Sequence, residues 1–290
     1  MPATRSSQTI SDALHTATTM LSRSSASARL DAELLLEYVT GLSRTNFRAM
    51  PERELPASAG WSFQQLVKRR LQGEPVAYIR EQQEFWSLML EVGPAVLIPR
   101  PETELVVERA LTHLPADTAA HVADLGTGSG AIALAIASER PRARVVGVDV
   151  SRDALQIAAR NAGRLQLTNV TFAQGSWYAP FSDERFDVIA SNPPYVAQGD
   201  ADVADDVRRY EPQAALYSGP TGLEALELLI REAPAHLREG GWLVMEHGWK
   251  QAAAVRQRLV RQGFTHVRSH ADLAGHERVT EGMKGLVVSG

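Results

Sequence analysis

The stretch "VADLGTGSGAIALAIA", Val122–Ala137, changes character twice in sixteen residues. It begins as a short apolar strand, passes through three alternating glycines and continues as an alanine-rich run that suits a helix reaching Glu139. Gly126, Gly128 and Gly130 carry no Cβ, so the backbone can take left-handed conformations there and approach a ligand closely. The helix that follows offers unpaired N-terminal amides to whatever the turn holds. Thr127 and Ser129, between the glycines, complete the loop as candidate ligand-binding residues. A strand, a glycine turn and a helix in that order predict one unit of an α/β sheet.

The alternation recurs on the C-terminal side. "ARVVGVDV", "NVTFAQG", "FDVIAS", "GGWLVMEHG", "FTHVRSH" and "KGLVVSG" read as strands, several of them separated by helical patterns. With "HVADLG" they predict a mostly parallel sheet covered by helices on both faces, its ligands bound beyond the carboxyl ends of the strands. The first eighty residues differ. Ile10, Ala13, Leu14, Ala17 and Leu21 recur at helical spacing, as do Leu30, Leu34, Leu35, Tyr38 and Val39, with Gly41 as a stop. A third such pattern, Phe63 to Leu71, ends at Gly73. Then "EFWSLMLEVGPAVLIP" sets aromatic and branched residues about Gly93-Pro94, which predicts a β-hairpin. The expected organisation is a helical domain over 1–80, a hairpin linker over 81–98 and an α/β domain over 99–290.

Composition narrows the possible functions. The chain has no cysteine, which rules out disulfides and thiolate metal sites, and its histidines show no metal-ligand spacing. No apolar run approaches the ~20 residues of a membrane span, and "MPATRSSQTISDALH" lacks an apolar signal core, so a cytoplasmic location is expected. A net charge of -4 argues against phosphate-driven nucleic-acid binding as the main activity.

Asp149 closes the strand after the glycine loop, twenty-three residues beyond Gly126. That is close to the spacing at which an acidic residue meets a ribose, and a carboxylate can accept hydrogen bonds from both hydroxyls. Ser151 is better placed to cap the helix "RDALQIAARNA", which leaves Asp149 for a ligand. Ser176 and Trp177 follow a third strand, where they would border an adenine; core packing is the competing role for the indole. The set suits an adenosine nucleotide or S-adenosylmethionine, although the glycine pattern alone also fits a dinucleotide.

"DVIASNPPYVAQ", Asp187–Gln198, discriminates further. Two adjacent prolines cannot donate to a sheet ladder, so the strand must stop at Asn192-Pro193-Pro194-Tyr195. An amide and an aromatic ring are then held stiffly beyond a strand end. A hydride-transfer enzyme has no evident use for them, whereas a methyltransferase acting on a planar nitrogen does. The Asn192 side-chain oxygen and a backbone carbonyl of the turn can accept the two N–H bonds of that nitrogen, while Tyr195 packs on the planar group. The prolines hold both in place before reaction, and no base of raised pKa is required.

Taken together, "DLGTGSG", Asp149, "SNPPY", "LIPRPETE" and "RRYEPQAAL" resemble the HemK/PrmC-type peptide chain release factor glutamine methyltransferases. The resemblance runs from "DAELLLEYVTG" through "GEPVAYI", "EFWSL" and "LLIREAPAHLREGGWLVMEHG" to "HERVTEGMKG". It implies a class I (Rossmann-like) α/β methyltransferase domain with a seven-stranded sheet, preceded by a small all-helical domain and a hairpin. It also implies methyl transfer from S-adenosylmethionine to the glutamine amide of the Gly-Gly-Gln motif in class I release factors. Gly126 to Gly130, Asp149, Trp177 and Asn192 would hold the cofactor, and Asn192 to Tyr195 the glutamine. The expected working unit is a monomer that binds neither membrane nor nucleic acid directly. An adenine-N6 nucleic-acid methyltransferase, which would use the same tetrapeptide on a flipped base, is the alternative.

Other residues read as structural. Arg100, Glu102 and Glu104 about Pro101 suit a helix start, with a lid over the cofactor as the other possibility. Glu246 and His247 suit a satisfied pair at a strand end, with a place bordering the site as the other possibility, and the arginines of "VKRRLQG" and "VRQRLVRQG" suit solvated helix faces.

Overall fold

In the computed structural model, which describes residues 8–285, the chain divides between Glu81 and Gln82 into two compact units. In the first, the helices Ile10–Leu21, Ala28–Thr40 and Ala57–Leu71 share a core containing Leu14, Leu21, Leu35, Leu36 and Phe63. Thr9 starts the first helix with a capping box: its hydroxyl accepts from the Asp12 amide while the Asp12 carboxylate reaches back.

The second helix turns a different face inward from the one its leucines suggest. Leu30 and Tyr38 are exposed, whereas Ala28, Ala32, Leu35 and Leu36 are buried. Asp31 and Glu33 are buried with them, each neutralised: Arg70 meets Asp31 at 2.8 Å, and Arg29 and Arg44 meet Glu33 at 2.7 and 2.8 Å. Apolar spacing counts such acids as surface residues and so misplaces the stripe. Arg70 therefore belongs to a buried ion pair and not to a solvated face.

The second unit opens with a hairpin, β1 (Gln82–Phe85) and β2 (Leu88–Glu91). It turns at Trp86-Ser87 and not about Gly93-Pro94. Both turn residues have positive φ, 51° and 58°, the backbone that matches strand twist in a two-residue hairpin. Asn161, on the helix Arg152–Arg164, fixes the hairpin by accepting from the Glu91 amide at 2.6 Å and donating to its carbonyl at 3.0 Å.

The sheet comprises β3 (His121–Leu125), β4 (Arg144–Asp149), β5 (Val170–Gln174), β6 (Phe186–Ser191), β7 (Leu237–Glu246), β8 (Phe264–Ala271) and β9 (Glu277–Lys284). Its order is β5-β4-β3-β6-β7-β9-β8, parallel from β5 to β7, with β9 antiparallel to both its neighbours. Alternate residues feed two cores: Val122, Val188 and Val244 one, Ala123, Ile189 and Leu243 the other. That is why the central strands are apolar throughout. The last described strand is drawn from "ERVTEGMK". Of the expected strand Lys284–Gly290, the part beyond Gly285 lies outside the described residues. Glu281 made β9 hard to see, because it is buried yet paired, with Arg109 at 3.1 Å and His113 at 3.0 Å. No described helix is long and apolar enough to cross a membrane.

Strand order reverses at β3. β4 and β5 lie to one side of it, β6 and β7 to the other, which opens a crevice at the carboxyl ends. The glycine loop follows β3, Asp149 ends β4, and Asn192 follows β6.

Candidate active site

Backbone bonds shape the loop after β3. Gly126, Gly128 and Gly130 sit at φ 77°, 55° and 85°, conformations that favour glycine. The amides of Gly126 and Thr127 both donate to the Val148 carbonyl, at 2.8 and 2.9 Å. The Gly128 amide donates to Asp149 Oδ2 and the Ser151 amide to Asp149 Oδ1, each at 2.9 Å. Asp149 thus braces the loop and still has acceptor capacity on both oxygens. Ser151 caps its helix by accepting from the Ala154 amide at 3.2 Å, as its sequence position predicts.

Beneath the loop, buried Asp124 accepts at Oδ2 from the Thr127 hydroxyl at 2.6 Å and the Ala133 amide at 3.1 Å. Its Oδ1 is buried without a partner among the described residues, and burial pushes the carboxyl up to about 7. Trp177 has φ 50°, uncommon for an aromatic, and its ring lies 3.4 Å from the place a Cβ on Gly126 would occupy. The indole thus closes over the glycine.

The second half of the site is held by side chains. Asn192 Nδ2 donates to Thr103 Oγ1 at 3.0 Å, and the Thr103 hydroxyl donates to Glu246 Oε2 at 2.6 Å. The Tyr195 hydroxyl donates to Glu246 Oε1 at 3.0 Å. Gln251 Nε2 donates to the Tyr195 carbonyl at 3.0 Å. Gly222, at φ 75°, backs that carbonyl so closely that a Cβ there would sit 2.4 Å from it. Burial pushes the Glu246 carboxyl up to about 7 against the opposing pull of Thr103 and Tyr195. Burial, then the Glu246 charge, pushes the Tyr195 phenol well above its ordinary value.

A cavity of about 340 Å³ at the strand ends is lined by Gly126 to Ser129, Asp149 and Trp177, and also by Thr103, Asn192 and Pro194. Most of the sequence-derived candidates therefore border one space. Gly130 does not: it starts the next helix, and a Cβ there would meet Leu134 and Ala158 at 3.0 and 3.2 Å. Pro193, Tyr195 and Ser176 are likewise not among its walls, where Gly175 stands in place of Ser176.

Two structural readings change, and a third is extended. Glu246 and His247 are not a pair, since the His247 Nε2 bonds the Thr280 hydroxyl at 2.7 Å. Arg100 pairs with buried Glu211, which also accepts from the Ile98 amide at 3.0 Å. Pro101–Thr103 forms a 3-10 turn before the helix Glu104–Thr112, so the helix-start reading holds, but Thr103 reaches the site. Sequence reasoning passed over Thr103 and set Glu246 aside as structural, although Glu246 supports the site through Thr103 and Tyr195. The usable signal was an acid ending the apolar run Trp242–Met245 at the carboxyl end of a strand.

Two family models match the chain: the PrmC N-terminal domain over residues 12–80 and a methyltransferase domain over 116–284. The release factor glutamine methyltransferase of Xylella fastidiosa strain Temecula1 is 50% identical over 254 residues, covering 88% of this chain and 92% of that protein. The one from Escherichia coli strain K12 is 42% identical over 260 residues, covering 90% and 94%. Among solved structures, a methyltransferase from Pyrococcus furiosus matches with a TM-score of 0.52 at 21% identity, over 76% of this chain and 98% of that one. That likeness is one of fold.

Proposed function

The chain belongs to the release factor glutamine methyltransferases, and from that premise we propose that it methylates the side-chain amide nitrogen of the glutamine in the Gly-Gly-Gln motif of class I peptide chain release factors, with S-adenosylmethionine as donor. The observation that carries this reading is that one cavity is bordered by the glycine loop and Asp149 and equally by Asn192 and Pro194. Methyl donor and acceptor nitrogen would meet there.

The residues fit the donor. Gly126 and Gly128 admit a close backbone approach, Asp149 has acceptor capacity left for ribose hydroxyls, and the Trp177 indole flanks the place for an adenine. S-adenosylmethionine supplies an electrophilic methyl on a sulfonium. The protein's task is then to present a poor nucleophile, since an amide lone pair is delocalised. Asn192 Oδ1 accepts one N–H of the glutamine amide and a carbonyl of the Asn-Pro-Pro turn accepts the other, which aims the nitrogen at the methyl. Pro193 and Pro194 hold that geometry before substrate arrives. Tyr195, pinned through its hydroxyl by Glu246, keeps its ring in one orientation to pack on the planar group. The alkylated amide gives up its surplus proton readily, so no side chain acts as base.

The helical unit carries no cofactor motif, and we assign it to recognition of the protein substrate. Deleting residues 1–81 should leave cofactor binding nearly intact and abolish most methylation of intact release factor; normal methylation by the truncated enzyme would contradict that assignment. The function itself is tested by incubating the protein with methyl-labelled S-adenosylmethionine and either a class I release factor or DNA. Label is expected on the release factor. Label on DNA alone would establish the adenine-N6 chemistry instead.

A further inference from the structure

A clamp built on asparagine has a directional problem. The amide presents an oxygen on one edge and an NH2 on the other, of nearly the same shape, and only the oxygen can accept an N–H from the substrate. We propose that Thr103 and Glu246 are positioning residues that fix which edge of Asn192 faces the acceptor nitrogen, an inference that rests on the methyl-transfer reading above.

The bond directions follow from the chemistry of the partners. An ionised Glu246 can only accept, so the Thr103 hydroxyl commits its single hydrogen to Oε2 at 2.6 Å. Towards Asn192, Thr103 then has only lone pairs to offer. The amide must turn its NH2 to Thr103, as the 3.0 Å bond from Nδ2 to Oγ1 has it, and Oδ1 is left with no protein donor among the described residues. The Tyr195 hydroxyl gives its hydrogen to the other Glu246 oxygen at 3.0 Å, so the same carboxylate orients both polar members of the Asn-Pro-Pro-Tyr turn. Glu246 and Thr103 are buried, at 1% and 4% exposure, so their bond to each other is shielded from bulk solvent. They come from the end of β7 and from the 3-10 turn Pro101–Thr103, so the clamp's polarity is set by segments remote in sequence from the clamp. Thr103 itself lines the cavity, which gives the "PRPETE" segment a task beyond starting a helix.

The test compares Thr103→Val, which keeps the shape and removes the hydroxyl, with Thr103→Ser, which keeps the hydroxyl. Turnover, KM for release factor and S-adenosylmethionine affinity would be measured alongside wild type, with thermal unfolding as a check on the fold. Thr103→Val should lower kcat about tenfold or more while KM and cofactor affinity stay within about threefold, because a freely turning amide is misaligned and not absent. Thr103→Ser should recover most of that rate. Should the valine variant not fold, Glu246→Leu removes the acceptor that commits the hydroxyl and should show the same loss confined to kcat. A folded Thr103→Val, or Glu246→Leu in its place, turning over at the wild-type rate would overturn the inference, as would a serine variant as slow as the valine one. Wild type that leaves no methyl on the release factor glutamine would instead overturn the underlying function, so the two failures are distinct.

Discussion

The two halves of the site are built by different means. The glycine loop is fixed by main-chain geometry and by partners close in the chain: Val148, Asp149 and Asn161 all lie within the two helices and one strand that follow it. The Asn-Pro-Pro-Tyr turn is fixed by side chains from afar, with Thr103 89 residues away from Asn192 and Glu246 and Gln251 51 and 56 from Tyr195. One half is a local backbone device and the other a product of the completed sheet. They should therefore fail differently when altered: the first in cofactor binding, the second in turnover.

The largest effect expected is on turnover. Asn192→Ala removes the acceptor and should cost about 10²-fold or more in kcat, with release factor binding little changed because it is spread over a large interface. Steady-state kinetics beside a binding measurement would separate the two. The converse substitution, Asp149→Ala, should weaken S-adenosylmethionine binding by ~1.5–3 kcal/mol, roughly ten- to 150-fold. The upper end is favoured because Asp149 also braces the Gly128 and Ser151 amides. Calorimetry with unchanged affinity would remove Asp149 from the site and dissolve the division of labour.

A third effect is on pH dependence. Glu246 faces Thr103 and Tyr195 directly, and feels Arg278 as a favourable charge and Glu102 as an unfavourable one. Once protonated it can donate to Thr103, which reverses the relay. Turnover should thus fall as pH drops below about 7, and Glu246→Gln should lose that acid limb. Stability runs the other way. The folded carboxyl sits above its unfolded value of 4.5, so the folded state holds the extra proton between there and about 7. The contribution is fully present below about pH 4.5 and is lost as pH rises through about 7, roughly 3 kcal/mol relative to Glu246→Gln in denaturant titrations. The smallest effect belongs to Tyr195→Phe, which keeps the ring. It should lower kcat by less than about tenfold and much less than Tyr195→Ala; equal losses would make the hydroxyl, not the ring, the working part.

The contrast also explains what could be read before the structure. Gly126, Asp149 and Ser151 act through backbone conformation and close spacing, so their pattern is visible in the chain itself. Asn192-Pro193-Pro194-Tyr195 was visible because two prolines must end a strand, which marks the place without marking its supports. Thr103, Glu246 and Gln251 left little trace because their roles depend on strand order, which brings β7 beside β6. Buried charges hid the rest: Asp31 and Glu33 displaced the apparent face of a helix, and Glu281 disguised β9. In each case a paired acid occupies a place where apolar spacing expects solvent.

The central claim is that the turn after β6 clamps a planar amide through both of its N–H bonds. It is tested most directly by mass spectrometry of a release factor methylated by this protein, wild type against a form whose Gly-Gly-Gln glutamine is replaced by glutamate. The account predicts one methyl group on the glutamine nitrogen and none on the glutamate form, which has no N–H to clamp. Methylation of the glutamate form at the wild-type rate would contradict it.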